Sequence, residues 1–163
     1  MGAMPIPDFV KALRARVGND LLFLPGVCGI VIDDAGRVLL HRRADTGAWA
    51  VIGGLLDPGE EPADAVVREV REETGVEVVP ERIVGVYRTP RVVLPNGDQV
   101  QSVVTVFRCR PVGGEARVND DESLEVRYFS PDELPPLRPD HRLRIEHAIG
   151  GGPAFFAPPA ARQ

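Results

Sequence analysis

Residues 54–76 read GLLDPGEEPADAVVREVREETGV, a glycine-rich turn that runs into a strongly helical segment. The string Asp57-Pro58-Gly59 is typical of a tight turn, and the pair of glycines before it lets another backbone or a ligand approach closely. Pro62 suits the first turn of a helix, and Gly75 suits its end. The pattern therefore predicts a turn followed by a helix from about Glu61 to Thr74.

Three acidic residues of this helix, Glu69, Glu72 and Glu73, fall within an arc of about 100° at 100° per residue. Like charges three and four residues apart repel by roughly 0.2–0.5 kcal/mol per pair, and anions in the last turns oppose the helix dipole. A divalent cation would reverse the sign of these interactions, because hard oxygen ligands suit Mg²⁺ or Mn²⁺. The alternative interpretation is a solvated acidic face offset by Arg68 and Arg71.

Outside this stretch the chain alternates between apolar β-rich runs and turn signals. Strands are predicted at residues 27–32, 37–43, 49–52, 76–88, 99–109 and 125–129. Further helices are predicted from Asp8 to about Gly18 and from about Asp140 to Ile149. Strands that flank a central helix predict an α/β class with a mixed sheet. We expect an N-terminal helical segment (1–20), one domain (21–149) and a flexible Gly/Ala/Pro-rich tail (150–163).

The turn and helix together resemble the Nudix box, G-x5-E-x7-R-E-U-x-E-E-x-G-U, in which U is aliphatic. All nine specified positions are filled, by Gly54, Glu60, Arg68, Glu69, Val70, Glu72, Glu73, Gly75 and Val76. Nine positions at fixed spacing make this a specific match. The resemblance implies an α/β/α sandwich with a mixed β-sheet, in which the box forms a loop and a helix.

The resemblance also implies an activity: metal-dependent cleavage of a P–O–P bond in a nucleoside diphosphate linked to another group. The cofactor would be Mg²⁺, with Mn²⁺ as the alternative. Carried over residue by residue, the metal ligands would be Glu69, Glu72, Glu73 and the carbonyl of Gly54. Glu60 and Arg68 would pair to hold the loop against the helix.

Hydrolysis needs a carboxylate that takes a proton from the attacking water. Glu69 or Glu72 could do so from the box, and Glu122 is the candidate from a later loop. Residues that could bind the substrate are four arginines for the phosphates and two aromatic residues for a base, namely Arg42, Arg43, Arg88, Arg91, Trp49 and Tyr128. The substrate stays open between a nucleotide sugar such as ADP-ribose and a nucleoside triphosphate.

The amino-acid composition argues against some classes of function. With 19 basic and 24 acidic residues the net charge is −5, which argues against binding to a nucleic acid polymer or an anionic membrane. No apolar run approaches the roughly 18–20 residues of a membrane span, and residues 1–20 lack a leader pattern, so a cytoplasmic location is expected. The resemblance also leaves a homodimer open, since homodimers are common in this family and the first helix (Phe9, Leu13, Val17) could contribute to an interface. His141 and His147 are predicted to lie at the surface, and His41 shows no partner pattern.

Two other functions fit part of the pattern. One is a non-catalytic sensor that binds a nucleotide through the same fold, and the intact box argues against it. The other is an isomerase of the isopentenyl diphosphate type, which needs a reactive cysteine at its site. Cys28 and Cys109 both lie in apolar, strand-like stretches and are predicted to be buried thiols.

Overall fold

A computed structural model of the protein describes residues 6–161. The helices are α1 (Asp8–Val17), α2 (Pro62–Thr74) and α3 (Pro139–Gly150). The strands are β1 (Leu21–Val31), β2 (Val38–Arg43), β3 (Trp49–Ala50), β4 (Ile52–Leu55), β5 (Val76–Arg88), β6 (Val92–Val93), β7 (Gln99–Gly114) and β8 (Ser123–Phe129). None of the three helices is long and apolar enough to cross a membrane.

The strands form two sheets. The larger has the order β4-β1-β7-β5, and β6 pairs with β7 beside this path. In it β1 and β7 run parallel, while the other pairs are antiparallel, so the sheet is mixed as predicted. The smaller sheet has the order β3-β2-β8 and is antiparallel throughout. The antiparallel pairing of β1 with β4, from Gly26 opposite Leu55 to Gly29 opposite Ile52, places the C-terminal half of β1 next to the box.

The two longer helices cover opposite faces of the larger sheet. Side chains of a strand alternate between the two faces, and in β1 the alternation separates two cores. Val27 and Val31 belong to the buried cluster that contains α2, whereas Cys28 and Ile30 belong to the cluster that contains α3. This arrangement confirms the α/β/α sandwich. Both cysteines are buried free thiols.

A glycine explains how closely α2 approaches the sheet. A Cβ atom at Gly29 of β1 would lie 3.0 Å from a methyl group of Val66 and 3.0 Å from one of Val70. Both valines are fully buried, so they fix the rotation of the helix about its axis. Because Glu69 and Glu73 each follow one of these valines by three residues, the packing of the valines also sets the direction of the two acids, with Glu69 against Gly54 of β4 and Glu73 beside His41 of β2.

The C-terminal tail contacts the larger sheet at one point. Phe155, in the tail predicted to be flexible, is hydrogen-bonded to the edge of β5: its N–H donates to Val84 O (2.8 Å), and the Val86 N–H donates to its carbonyl (2.9 Å). Its ring also stacks on Tyr87, with centroids 5.2 Å apart. The tail is therefore anchored at this point, because the open edge of β5 offers unpaired backbone groups. The predicted segments 1–20 and 150–163 extend beyond the described residues at 1–5 and 162–163.

Candidate active site

The helix of the box starts and ends where its sequence predicts. Pro62 occupies the first turn, and Gly75 ends α2 in the left-handed conformation (φ 72°), with its N–H donating to the carbonyl of Arg71. Glu69 is half-buried, Glu72 is exposed and Glu73 is buried. The three acids therefore run from solvent into the interior along one side of the helix.

Gly54 of β4 lies directly against the carboxylate of Glu69. A Cβ atom at this position would coincide with the Glu69 carboxyl group, so any larger residue would displace that side chain. Burial raises the pKa of Glu69 above its ordinary value, and Arg68 opposes the shift. The absence of a side chain at Gly54 thus lets the Glu69 carboxylate pack directly against the backbone of β4.

Arg68 joins the loop of the box to its helix. Its Nε donates to Glu60 Oε1 (2.8 Å), and its Nη2 donates to Glu60 Oε2 (2.9 Å) and to the carbonyl of Leu55 (3.2 Å). Its Nη1 donates to Glu69 Oε1 (2.7 Å) and to Glu72 Oε2 (3.3 Å). The hydrogen bond from Arg68 lowers the pKa of Glu60. Glu60 and Arg68 form the ion pair expected from the resemblance, and the same guanidinium partly neutralises two of the acids.

Among the described residues, Arg68 forms no ion pair with Glu73. Glu73 is only 2% exposed, and its Oε2 has no hydrogen-bond partner among the described residues. Burial raises the pKa of Glu73 well above its ordinary value, and the charges of Glu69, Glu122 and Asp120 raise it further, against a smaller opposing effect of Arg43. A buried carboxylate oxygen without a donor costs free energy unless a proton or a cation compensates it.

The loop before β8 brings the later acid to this place. The carbonyl of Glu122 accepts a hydrogen bond from the Ala44 N–H at 2.8 Å, which ties the loop to the end of β2. Burial raises the pKa of the Glu122 carboxyl to about 7, with further contributions from the charges of Asp120 and Glu69. Glu122 is thus within electrostatic range of the helix acids, although 49 residues separate it from Glu73 in the sequence.

The residues expected to bind substrate are not all brought together. Arg43 lies near the acids, since its charge lowers the pKa of both Glu73 and Glu122. Its Nε donates to Asp45 at 2.9 Å. Arg42 points to β8, with its Nε 3.6 Å from Glu125 Oε2. Arg88 and Arg91 are exposed and form no ion pair with any of residues 6–161.

The two aromatic candidates face different cores. Trp49 packs against the cluster that contains α3 and makes an edge-to-face contact with Phe129 at 4.9 Å between centroids. Tyr128 packs against the cluster that contains α2, with the guanidinium of Arg37 5.4 Å from its ring centroid. Since both rings serve in packing and lie on opposite faces, they do not form one base-stacking pocket.

Two residues of the site, Asp120 and His41, are not predicted by the sequence analysis. Asp120 raises the pKa of Glu73 and of Glu122 and has a raised pKa of its own, mainly through burial. His41 is 3% exposed, and its Nδ1 lies 2.8 Å from Ser123 Oγ and 3.4 Å from Glu73 Oε2. A signal for His41 does exist: it is two residues beyond Leu39, which packs in the α2 cluster, so the period of a strand turns it toward α2.

The donor set fits a hard divalent cation. Carboxylate and carbonyl oxygens are the ligands that Mg²⁺ and Mn²⁺ prefer, and the unpartnered Oε2 of Glu73 is one such donor already in the interior. Within residues 6–161 no three His, Cys, Asp or Glu side chains are grouped closely enough to count as a metal site, and Arg68 contacts both Glu69 and Glu72. The residues that could hold the cation are Gly54, Glu69, Glu72 and Glu73.

The chain is similar to several known proteins over most of its length. The chain is 39% identical to a MutT-like protein of Streptomyces ambofaciens over 130 residues, 78% of each chain. It is 31% identical to a putative 8-oxo-dGTP diphosphatase of Bacillus subtilis over 123 residues, 76% of this chain and 77% of the relative. The solved structure of an ADP-ribose pyrophosphatase from Streptococcus suis superposes with a TM-score of 0.62 at 26% identity, covering 78% of this chain and 90% of that one.

The family model described as NUDIX domain matches residues 22–148, which is well over half of the chain. The match runs from Leu22 in β1 to Ala148 in α3. The chain therefore belongs to the Nudix family and is a hydrolase that cleaves diphosphate bonds.

Proposed function

We propose that this Nudix hydrolase cleaves the P–O–P bond of a nucleoside diphosphate linked to another group, and that it needs Mg²⁺ or Mn²⁺ to do so. One observation carries the proposal: Glu73 is buried, its Oε2 has no hydrogen-bond partner within residues 6–161, and the charges of Glu69 and Glu122 raise its pKa. Acids that raise one another's pKa in this way destabilise the folded chain. Their convergence is explained if a cation compensates them.

Glu69, Glu72 and Glu73, with the carbonyl of Gly54, would hold the cation. When bound, the cation would neutralise charge that develops at phosphorus and would favour ionisation of a water molecule. The remaining residues of the box have a supporting task. The ion pair between Glu60 and Arg68 keeps the loop against the helix, and the Asp57 N–H donates to Glu60 Oε2 at 3.1 Å, which closes the turn.

Glu122 is the general base that we favour over Glu69 and Glu72. It lies on a separate loop, is half-buried, and has a pKa of about 7 in the metal-free protein. A base whose pKa lies near the working pH combines a useful deprotonated fraction with strong proton affinity. Glu69, by contrast, is engaged by the guanidinium of Arg68 at 2.7 Å.

Arg43 is the strongest candidate for a phosphate contact, because it is the one expected arginine whose charge acts on the acidic cluster. Arg42, Arg88, Arg91, Trp49 and Tyr128 stay weaker candidates. The substrate is proposed to be either a nucleotide sugar such as ADP-ribose or a nucleoside triphosphate. The relatives named above include proteins of both kinds, an ADP-ribose pyrophosphatase and a putative 8-oxo-dGTP diphosphatase, so they support both options.

The test is phosphate release, after phosphatase treatment where needed, from a panel of ADP-ribose, sugar nucleotides, dinucleoside polyphosphates and canonical and oxidised triphosphates. Each substrate is measured with Mg²⁺, with Mn²⁺ and with EDTA. We expect metal-dependent turnover concentrated in one class, which would name the substrate. Turnover that persists in EDTA would contradict the metal dependence. Metal-dependent nucleotide binding without turnover of any compound would favour a nucleotide sensor.

A further inference from the structure

His41 occupies a buried position between the box helix and the loop acid. It sits in β2, next to Ala50 of β3 on one side and Val126 of β8 on the other. Its ring reaches Ser123 Oγ at 2.8 Å and Glu73 Oε2 at 3.4 Å, in both cases through Nδ1. The same ring atom therefore faces α2 and the start of β8 together.

The carboxylate of Glu73 lies beside this ring. The Nδ1 of His41 lies 3.4 Å from Glu73 Oε2, and both side chains are buried. The contact of 3.4 Å is too long to satisfy Oε2, which stays without a hydrogen-bond partner. The carboxylate is thus held beside a polar group while one lone pair stays available for a ligand.

Ser123 connects the same ring to the other side of the site. It directly follows Glu122, and it pairs with Arg43 next to a bulge at Leu124 of β8. Because its hydroxyl can donate to Nδ1 or accept from it, the contact of 2.8 Å holds the ring in either tautomer. Ring, hydroxyl and the hydrogen bond from the Ala44 N–H to the Glu122 carbonyl form one continuous link.

We infer that His41 is a positioning residue of the metal site, which orients Glu73 through Nδ1 and, through Ser123, sets Glu122 relative to α2. The inference rests on the proposed function, since it takes Glu73 as a metal ligand. Groups that orient a ligand from behind affect metal affinity strongly, and their loss typically costs 10–100-fold. His41 has this relation to Glu73 without needing to touch the metal or the substrate.

The test compares two substitutions that keep a polar group at different ends of the ring. In His41→Asn the amide nitrogen falls near the position of Nδ1, whereas in His41→Gln it falls near that of Nε2. The first readout is binding of Mn²⁺ alone to the full chain, followed by electron paramagnetic resonance. We expect His41→Gln to weaken Mn²⁺ binding by about 10–100-fold. His41→Asn should stay within about threefold of wild type, because it keeps a polar nitrogen at the position of Nδ1.

The second readout separates metal binding from substrate binding. At saturating metal, KM for the substrate should change little in His41→Gln, while the metal concentration needed for half-maximal rate should rise by the same factor as the Mn²⁺ dissociation constant. A purely structural defect would move both together. His147→Gln is the matched control, because the Nδ1 of His147 also bonds a hydroxyl, that of Tyr87 at 2.7 Å, but beside α3. It should bind Mn²⁺ as the wild type does.

His41 is buried, so thermal unfolding of each variant is measured first. If His41→Gln fails to fold, Ser123→Ala takes its place, since it keeps the imidazole and removes only its hydroxyl partner; weakened Mn²⁺ binding supports the inference. Wild-type affinity in the folded variant overturns it, as does an equal loss in His41→Asn and His41→Gln. If the wild-type chain itself binds no Mn²⁺, it is the proposed function that fails.

Discussion

The C-terminal ends of α2 and α3 have opposite electrostatics. At the end of α3 the last carbonyls are capped by cations from the sheet. Arg82 Nη2 donates to the carbonyls of His147 (3.2 Å) and Ala148 (2.9 Å), and Arg108 Nη1 donates to Ala148 at 2.9 Å. Positive charge at this end complements the helix dipole and satisfies acceptors that a helix leaves free.

At the end of α2 the signs are reversed. Glu72 and Glu73 lie in its last turn, and the charges of Glu122 and Asp120 face them from outside the helix. These charges disfavour the ionised form of Glu73 in the bare chain, against a smaller opposing effect of Arg43. The charges at the end of α3 therefore stabilise the folded chain. The acids at the end of α2 destabilise it, at the position where we propose that a cation binds.

The largest effect is expected from removing the charge of Glu73, the buried acid of α2. Glu73→Gln keeps the shape of the side chain and removes the charge. Turnover with Mg²⁺ should fall by roughly 1,000-fold, since the charge stabilisation that a metal supplies amounts to several kcal/mol. Without metal the variant should be more stable by about 1–3 kcal/mol, because it no longer buries an uncompensated acid. Turnover in Mg²⁺ and thermal unfolding in EDTA measure the two effects.

The exposed Glu146 of α3 offers the matched control. Glu146→Gln should leave both turnover and stability near those of the wild type. A Glu73→Gln protein that is both inactive and less stable in EDTA would mean that Glu73 supports the fold, and the contrast between the helix ends would be lost.

Glu122→Gln should lower kcat by about 100-fold if Glu122 is the general base. It should also change the pH dependence of stability in the metal-free protein. The pKa of Glu122 is raised from 4.5 to about 7 in the folded state, so the folded chain binds a proton that the unfolded chain has lost. Wild-type stability therefore falls as pH rises between these values, and the variant lacks this part of the slope.

Unfolding by denaturant at several pH values from 4 to 8, in EDTA, measures that slope. Asp121→Asn is the control, because Asp121 is adjacent but exposed. If wild type and Glu122→Gln have parallel profiles, the carboxyl does not titrate as described. An unchanged kcat would transfer the role of base to Glu69 or Glu72.

Removing a cap from α3 should lower the stability of the protein and leave its turnover nearly unchanged. Arg82→Ala deletes the two hydrogen bonds to the last carbonyls of α3 and should cost about 2 kcal/mol of stability, which lowers Tm by about 4–8 °C. Turnover at a temperature where the variant is folded should stay within about twofold of wild type. Arg110→Ala, which removes an exposed partner of Glu81, should leave Tm nearly unchanged. A large loss of kcat in Arg82→Ala would show that α3 also shapes the site.

The smallest effect concerns the anchored tail. A Cβ atom at Gly85 would lie 2.7 Å from the carbonyl oxygen of Phe155 and 2.9 Å from its Cβ. Gly85→Ala should therefore release Phe155 and speed exchange of the Val86 amide hydrogen, at a cost of about 1 kcal/mol and with full activity. Gly150→Ala is the control, because a Cβ there meets nothing within 4 Å. Unchanged protection of Val86 would show that the tail contact adapts.

Elements whose signals are local could be predicted closely. The helix expected from about Glu61 to Thr74 runs from Pro62 to Thr74, because proline and glycine act on their own backbone angles. The strand expected from Val27 starts at Leu21 instead. Its first half is held by parallel pairing with β7, from Leu21 opposite Gln99 onward, and no local pattern reveals a partner so distant in the chain.

The sequence alone determined the box: the helix, the three acids on one side of it, and the pair Glu60 and Arg68 at a spacing that lets them meet. These follow from helix geometry and from residue types within 23 positions. Only the tertiary structure decided which other residues join them. His41 and Asp120 enter the site, and Trp49 and Tyr128 turn to opposite cores, because sheet pairing between β2 and β8 and the burial of α2 set distances between residues far apart in the chain. Burial and those distances are also what move the pKa of Glu73 and Glu122, and neither can be obtained from residue type.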